Sequence, residues 1–301
     1  MFTQLGVFAK HISRPTPEEL FDALAGFGFN CTQFNAACLG GPSLPDQIDI
    51  KQWRRAAQAA RSAGIEMVAL SATFNLLDEN RPRLMDNFRR LKILARGATI
   101  LGSDLLTLCT GTRNQQDMWT YHPGNQSPAA WQTMIEAMWQ ALEIASEFGL
   151  NLGIEPEVAN VVGGANDAAR LITELGSNRI RIVFDPANLY RPPADPGKDC
   201  EVITDGLTLL GNRIAIAHCK DIAATAAKET VPQDEPLYVH VAAGEGILNY
   251  RHYLSELERL TPTGVPLILH GLTEEQIPSA VAFMRTCIGV VEETSARSIS
   301  T

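Results

Sequence analysis

The chain has 301 residues, 45% hydrophobic and 20% charged, with a formal net charge of −9. That is enough for one large α/β domain whose core needs neither disulfides nor metal to hold it. The acidic balance argues against a nucleic-acid surface, which needs excess Lys and Arg. No apolar run approaches the roughly 20 residues of a membrane span. The six cysteines lie far apart with no C-x-x-C pair, so reduced, mostly buried thiols are expected. The start, Met1-Phe-Thr-Gln-Leu-Gly6, lacks the basic and apolar segments of a signal peptide, and the expected location is cytoplasmic.

In chain order, strand and helix alternate. Gln4–Ala9 is a short apolar run, and Pro15 opens a helix with acids in its first turn, which suits the helix dipole. Cys31–Asn35 reads as a second strand, followed by a Gly/Pro-rich loop from Leu39 to Pro45 and a helix from Ile50 to Ala63 stopped by Gly64. Glu66–Ser71 is the third strand, and an amphipathic helix covers about Arg81 to Leu101. Asp104–Cys109 is the fourth strand. Its long loop, Thr110 to Gln126, carries Arg113, Trp119 and His122. Ser127 with Pro128 predicts an N-cap followed by proline in the first turn. The fifth strand ends at Glu155, with its helix over Asn166–Leu175, and the sixth ends at Asp185. A helix near Val202–Leu210 precedes a seventh strand ending at His218. An excursion from Asp221 to Gly246 leaves the barrel and returns, Asn249–Leu260 is helical, and an eighth strand ends at His270. Thr273 opens the last helix in a capping-box pattern.

Strict alternation predicts a parallel sheet with helices outside. Eight units in about 290 residues fit a single (β/α)8 TIM barrel, expected over residues 1–293, with a polar tail over 294–301. A doubly wound open sheet is disfavoured because no Gly-x-Gly-x-x-Gly turn follows the first strand.

Active sites of such barrels sit where strands end and loops begin. Glu155, Asp185, His218 and His270 all fall there, on strands five to eight, and adjacent strands lie about 5 Å apart. Singly, a strand-end His is ordinarily a structural hydrogen-bonding residue, and an Asp before Pro is ordinarily a turn residue. Four consecutive strands ending in ligand-type residues point instead to one divalent metal, Mn, Co, Mg or Zn, held by mixed O and N donors.

These pieces resemble the xylose-isomerase-like superfamily of sugar and sugar-phosphate isomerases and epimerases. The resemblance rests on Gly153-Ile-Glu155-Pro-Glu157, Val183-Phe-Asp185-Pro-Ala-Asn188, Ala217-His218-Cys-Lys220-Asp221, His240-Val-Ala-Ala-Gly244-Glu-Gly246 and Ser71-Ala-Thr-Phe-Asn75. It implies a sugar substrate, no nucleic-acid or membrane partner, and allows a homo-oligomer. It also implies a metal held by Glu, Asp, His and Glu, of which Glu155, Asp185 and His218 match the first three. The chemistry implied is proton removal beside a carbonyl to give an enediolate, with Glu155 as one acid–base group.

Two departures stand out. Asn188 replaces a His common in the epimerases, and His270 replaces the strand-eight Glu. A metal-bound imidazole is a weak base, so Glu245 or Glu157 is expected to supply the second acid–base group. Asn75, Asn188, Lys220, His240, Trp119 and His122 are the expected substrate-binding residues. The nearest alternative is an inosose-type dehydratase on the same fold, which also begins with proton removal beside a carbonyl. An endonuclease IV-like phosphodiesterase and a barrel without catalysis fit less well.

Overall fold

The computed structural model describes residues 2, 4–190, 199–224, 238–261 and 264–299. The strands are β1 Leu5–Phe8, β2 Cys31–Phe34, β3 Glu66–Ser71, β4 Leu105–Leu108, β5 Asn151–Ile154, β6 Ile180–Phe184, β7 Ile214–Ala224, β8 Tyr238–Ala242 and β9 Leu267–Leu269. The helices are α1 Pro17–Gly26, α2 Ile50–Ser62, α3 Arg81–Leu101, α4 Pro128–Glu147, α5 Ala165–Leu175, α6 Pro186–Leu189, α7 Asp199–Leu210, α8 Tyr250–Leu260 and α9 Ile277–Ile299. β1 to β7 pair in sequence as parallel neighbours, and β9 closes the ring between β7 and β1. This is the closed eight-stranded barrel that the alternation predicts.

The local signals work as the sequence suggests. Thr16 Oγ1 accepts from the Glu19 N–H at the start of α1, and Ser127 Oγ accepts from the Ala130 N–H at the start of α4. The Thr273 N–H donates to Gln276 Oε1, the return bond of a capping box, just before α9. α9 runs on to Ile299, into the stretch expected as a polar tail.

Two apolar layers form the core. Outside the sheet, helix faces and strand residues build one large buried cluster. A second, smaller cluster joins Phe8, Cys31, Ala69, Leu105, Val183, Ile216 and Ile268, drawn from seven of the eight barrel strands. It packs the barrel interior with side chains, so polar groups gather beyond the strand ends.

One strand differs from expectation. β7 does not stop at His218 but continues to Ala224, because its second half finds a new partner. Lys220 to Ala224 pair antiparallel with β8, with Asp221 opposite Val241 and Ile222 opposite His240. The excursion expected over 221–246 thus starts and ends as a hairpin on the barrel rim. Its residues 225–237 lie outside those described. The Asp221 carboxylate clamps the hairpin to the turn behind it, accepting from the N–H groups of Ile222, Gly244 and Leu248. Gly246 is needed there: a Cβ would come within 2.2 Å of Asp221 Oδ1 and 2.3 Å of the Ile222 carbonyl oxygen. The Gly-Glu-Gly motif is therefore a seat for Asp221.

Candidate active site

Glu155 follows β5 directly, Asp185 follows β6, and His218 sits midway along β7. Their donor atoms lie within 4.8 Å of one another. Asp185 does two jobs. As N-cap of α6, with Pro186 at the first helical position, its Oδ1 accepts from the Ala187 N–H at 3.0 Å. That leaves Oδ2 facing inward. The single turn of α6 also brings Asn188 to Glu155: Asn188 Nδ2 donates to Glu155 Oε1 at 2.7 Å. Lys220 Nζ donates to Asn188 Oδ1 at 2.5 Å and lies 3.2 Å from Asp185 Oδ2.

His218 is oriented from behind. Its Nε2 lies 2.7 Å from Gln33 Oε1, a carbonyl oxygen that can only accept, so the ring proton is assigned to Nε2. Gln33 is itself held by a bond from its Nε2 to Thr107 Oγ1 at 3.2 Å. The lone pair of Nδ1 then faces Glu155 Oε1 at 3.3 Å and Asp185 Oδ2 at 3.5 Å. Both Nδ1 of His218 and Oδ2 of Asp185 are fully buried and have no hydrogen-bond partner among the described residues. Lys220 is close enough to Oδ2 for an ion pair but lies off the direction of a hydrogen bond. Burying two acceptors face to face costs several kcal/mol unless a cation or proton sits between them. Two carboxylates and an imidazole, the latter anchored through its other nitrogen to a carbonyl, are a donor set that fits a divalent metal with open positions.

The electrostatics agree. In the metal-free chain, burial alone would lower His218, but Glu155 and Asp185 outweigh it and raise its pKa to about 9. Burial would raise Asp185; Lys220 and His218 reverse that and hold it well below the usual carboxylate range. Burial would lower Lys220, but the carboxylates of Asp185, Glu155 and Glu157 keep it above its ordinary value and charged. The site is thus built to hold positive charge between acids.

The profile of one protein family, the xylose isomerase-like TIM barrel, matches residues 15–287. The chain belongs to this family. Solved structures with the same fold include 3-keto-D-glucoside 4-epimerase YcjR from E. coli, at 15% identity and TM-score 0.67, with 94% of this chain and 99% of that one covered. A probable 3-DHS dehydratase of petrobactin synthesis, AsbF from Bacillus anthracis, aligns at 14% identity and TM-score 0.71, covering 95% and 98%. The IOLI protein with a binding zinc atom aligns at 13% identity and TM-score 0.65, covering 96% and 98%. No curated protein matches the sequence.

In this xylose isomerase-like barrel the expected site residues separate. Glu155, Asp185 and His218 converge, and Asn188 and Lys220 join them. His270 stands beside the cluster and not in it. Its ring packs edge-on against His218, with centroids 5.0 Å apart, but Nδ1 accepts from the Gly271 N–H at 2.8 Å and meets His11 Nε2 at 3.0 Å. Burial, with the nearby His218 and Lys220, keeps His270 neutral. Glu245 is exposed on its turn and accepts from Gln276 Nε2. Asn75 is a loop pin: it bonds the backbone of Leu77, Thr112 and Asn114. His122 caps a 3-10 turn through Gly124.

Trp119 and His240 line a cavity of about 310 Å³ together with Glu157. Burial raises Glu157 to about 7, against the pull of Lys220. Gln33 and His11 are not among the residues expected at the site from the sequence. Gln33 was findable: a Gln amid the buried β2 run Cys31–Phe34 is a polar side chain that must have a partner. His11, in a short 3-10 turn after β1, carried no such signal.

Proposed function

We propose that this barrel is a divalent-metal-dependent isomerase or epimerase of sugars or keto-sugars, working by proton abstraction beside a carbonyl. The observation that carries the reading is the pair of buried, partnerless acceptors, His218 Nδ1 and Asp185 Oδ2, with Glu155 beside them. These three residues would hold the metal. A bound divalent ion supplies Lewis acidity to the substrate carbonyl and its neighbouring hydroxyl, which acidifies the C–H between. The rest falls to the chain. Glu157, at about 7, is matched to take and return a proton near neutral pH. Lys220, fixed through Asn188, sets a permanent positive charge where an enediolate develops. Asn188 in turn holds Glu155 in place.

A dehydratase is the second reading, favoured by His270. With a neutral imidazole where the epimerases place a second Glu, the acid–base groups are asymmetric, which suits loss of water after proton removal as well as it suits epimerisation. The decisive experiment measures metal content and solvent deuterium exchange into a panel of keto-sugars. Exchange with return of starting material or its epimer supports isomerisation. Loss of water supports the dehydratase. A metal-soaked chain that binds no ion and exchanges no proton overturns both. Glu157→Gln is expected to lower kcat by about 10²–10⁴-fold without changing metal content.

A further inference from the structure

We infer that the substrate carries an aryl substituent, and that the cavity between the rim loops is the subsite that takes it. This deepens the proposed sugar chemistry and rests on it. Eight of the ten residues lining the cavity are aromatic or aliphatic, among them Trp119, Tyr121, Tyr190, Tyr238 and Ile222. The other two are Glu157 and His240. Of the lining residues, Glu157 follows Glu155 by two, Ala187 follows Asp185 by two and Ile222 follows Lys220 by two, which puts the cavity next to the cluster.

A second sugar ring does not suit this lining. It would bring several hydroxyls against mostly apolar walls, and each left without a partner costs about 1–3 kcal/mol. A flat apolar ring loses nothing there. Tyr190 and Tyr238 meet edge to face, with centroids 5.1 Å apart and planes at 85°, so one presents its face where the other presents its edge. In the same lining Trp119 is 55% exposed and Tyr121 46% exposed. Large aromatic surfaces left open beside a polar site are where an aromatic ligand gains most from burial and ring packing. Polar chemistry at the β5–β7 ends and an aromatic chamber beside it therefore read as one site for a keto-glycoside, its carbonyl on a ring carbon other than the anomeric one, with an aryl aglycone: sugar toward Asp185 and His218, ring toward Trp119.

The test compares phenyl β-D-glucoside with methyl β-D-glucoside, titrated calorimetrically into the metal-loaded full chain. The phenyl compound is expected to bind about tenfold more tightly, and the preference should vanish in Trp119→Ala. That variant alters an exposed loop residue and leaves the core intact. As a second variant, Tyr121→Ala should reduce the preference partially. Equal binding of the two glucosides by a chain that holds its metal overturns the subsite and leaves the proposed function standing. So does a phenyl preference that survives both variants. A wild-type chain that takes up no metal overturns the proposed function instead. In that case phenol alone still tests the chamber: it should quench Trp119 fluorescence in wild type, and no quenching refutes the subsite.

Discussion

Gln33 offers the sharpest test of how the site is built, because it touches neither substrate nor the inward face of the donors. Its Oε1 accepts the Nε2 proton of His218 at 2.7 Å, and nothing else described bonds that nitrogen. Gln33→Leu keeps the approximate volume but removes the acceptor. The buried N–H of His218 then loses its only partner, which costs about 1–3 kcal/mol. With no metal the ring already carries a proton on Nδ1, facing Asp185 Oδ2 and Glu155 Oε1 at 3.5 and 3.3 Å, and without Gln33 it can recover by giving up the Nε2 proton. That tautomer has no lone pair for a metal. Metal affinity should therefore fall by about 10- to 100-fold, measured by competition with a chelator. Stability of the metal-free protein should fall less, because the new tautomer finds carboxylate acceptors. Gln33→Glu, which keeps an acceptor, should retain most of the affinity. If Gln33→Leu binds metal as tightly as wild type, Nδ1 is not a ligand and the tautomer argument fails.

Other consequences can be measured alongside. Asp185→Ala should abolish metal binding, whereas His270→Ala should keep about one ion per chain by elemental analysis. Loss of the ion in both would place His270 among the ligands after all. Gly97 of α3 lies against Trp53 of α2, and a Cβ there would come within 2.2 Å of the indole ring. Gly97→Ala should cost about 1–3 kcal/mol in denaturant unfolding, with activity of the folded protein unchanged. His11 is held to about 4 in the folded chain, by burial first and then by Lys10 and His218, against an ordinary value of 6.5. Below pH 6.5 the unfolded chain takes up this proton before the folded one, so stability should decline from pH 6.5 toward 4, by about 3 kcal/mol at most and by about 2 once solvent screening of this part-exposed ring is allowed for. His11→Gln should flatten that decline in acid unfolding curves.

The barrel was legible because its signals are local. Apolar runs of strand length, capped helices and glycine stops repeat along the chain, and each depends on near neighbours in sequence. Glu155, Asp185 and His218 were legible for a related reason: each is a ligand-type residue at or after a buried apolar run, and the barrel topology alone brings such positions together. Other expected positions depend on partners far away in sequence. His270 occupies the expected strand end, but whether it points a free nitrogen inward depends on His11 and the Gly271 N–H, partners set by the closing turn of the barrel. Asn75 and Glu245 sit in familial motifs, yet their bonds go to loop backbone and to Gln276. β7 overran His218 because β8 pairs with it, and antiparallel pairing across an excursion of this length leaves no periodic trace that fixes its register.

The exchange of Glu for His270 changes the charge of the site, and the direction can be worked out. Of the groups that face the metal position, Glu155 and Asp185 contribute two negative charges, Lys220 one positive, and His270 none; Glu157 hands its charge to the enediolate as it takes the proton. With no metal, the proton on His218 brings the cluster to neutrality. A divalent ion displacing that proton leaves one net positive charge, which a singly charged enediolate cancels. A Glu at position 270 would make the metal-loaded site neutral before substrate bound and negative after the proton was lost. On the proposed function, His270 trades some attraction for the metal against better accommodation of an anion. His270→Glu should accordingly bind metal more tightly and anionic enediolate mimics such as hydroxamates more weakly. An unchanged ratio of the two affinities would mean that this imidazole plays no electrostatic part in the site.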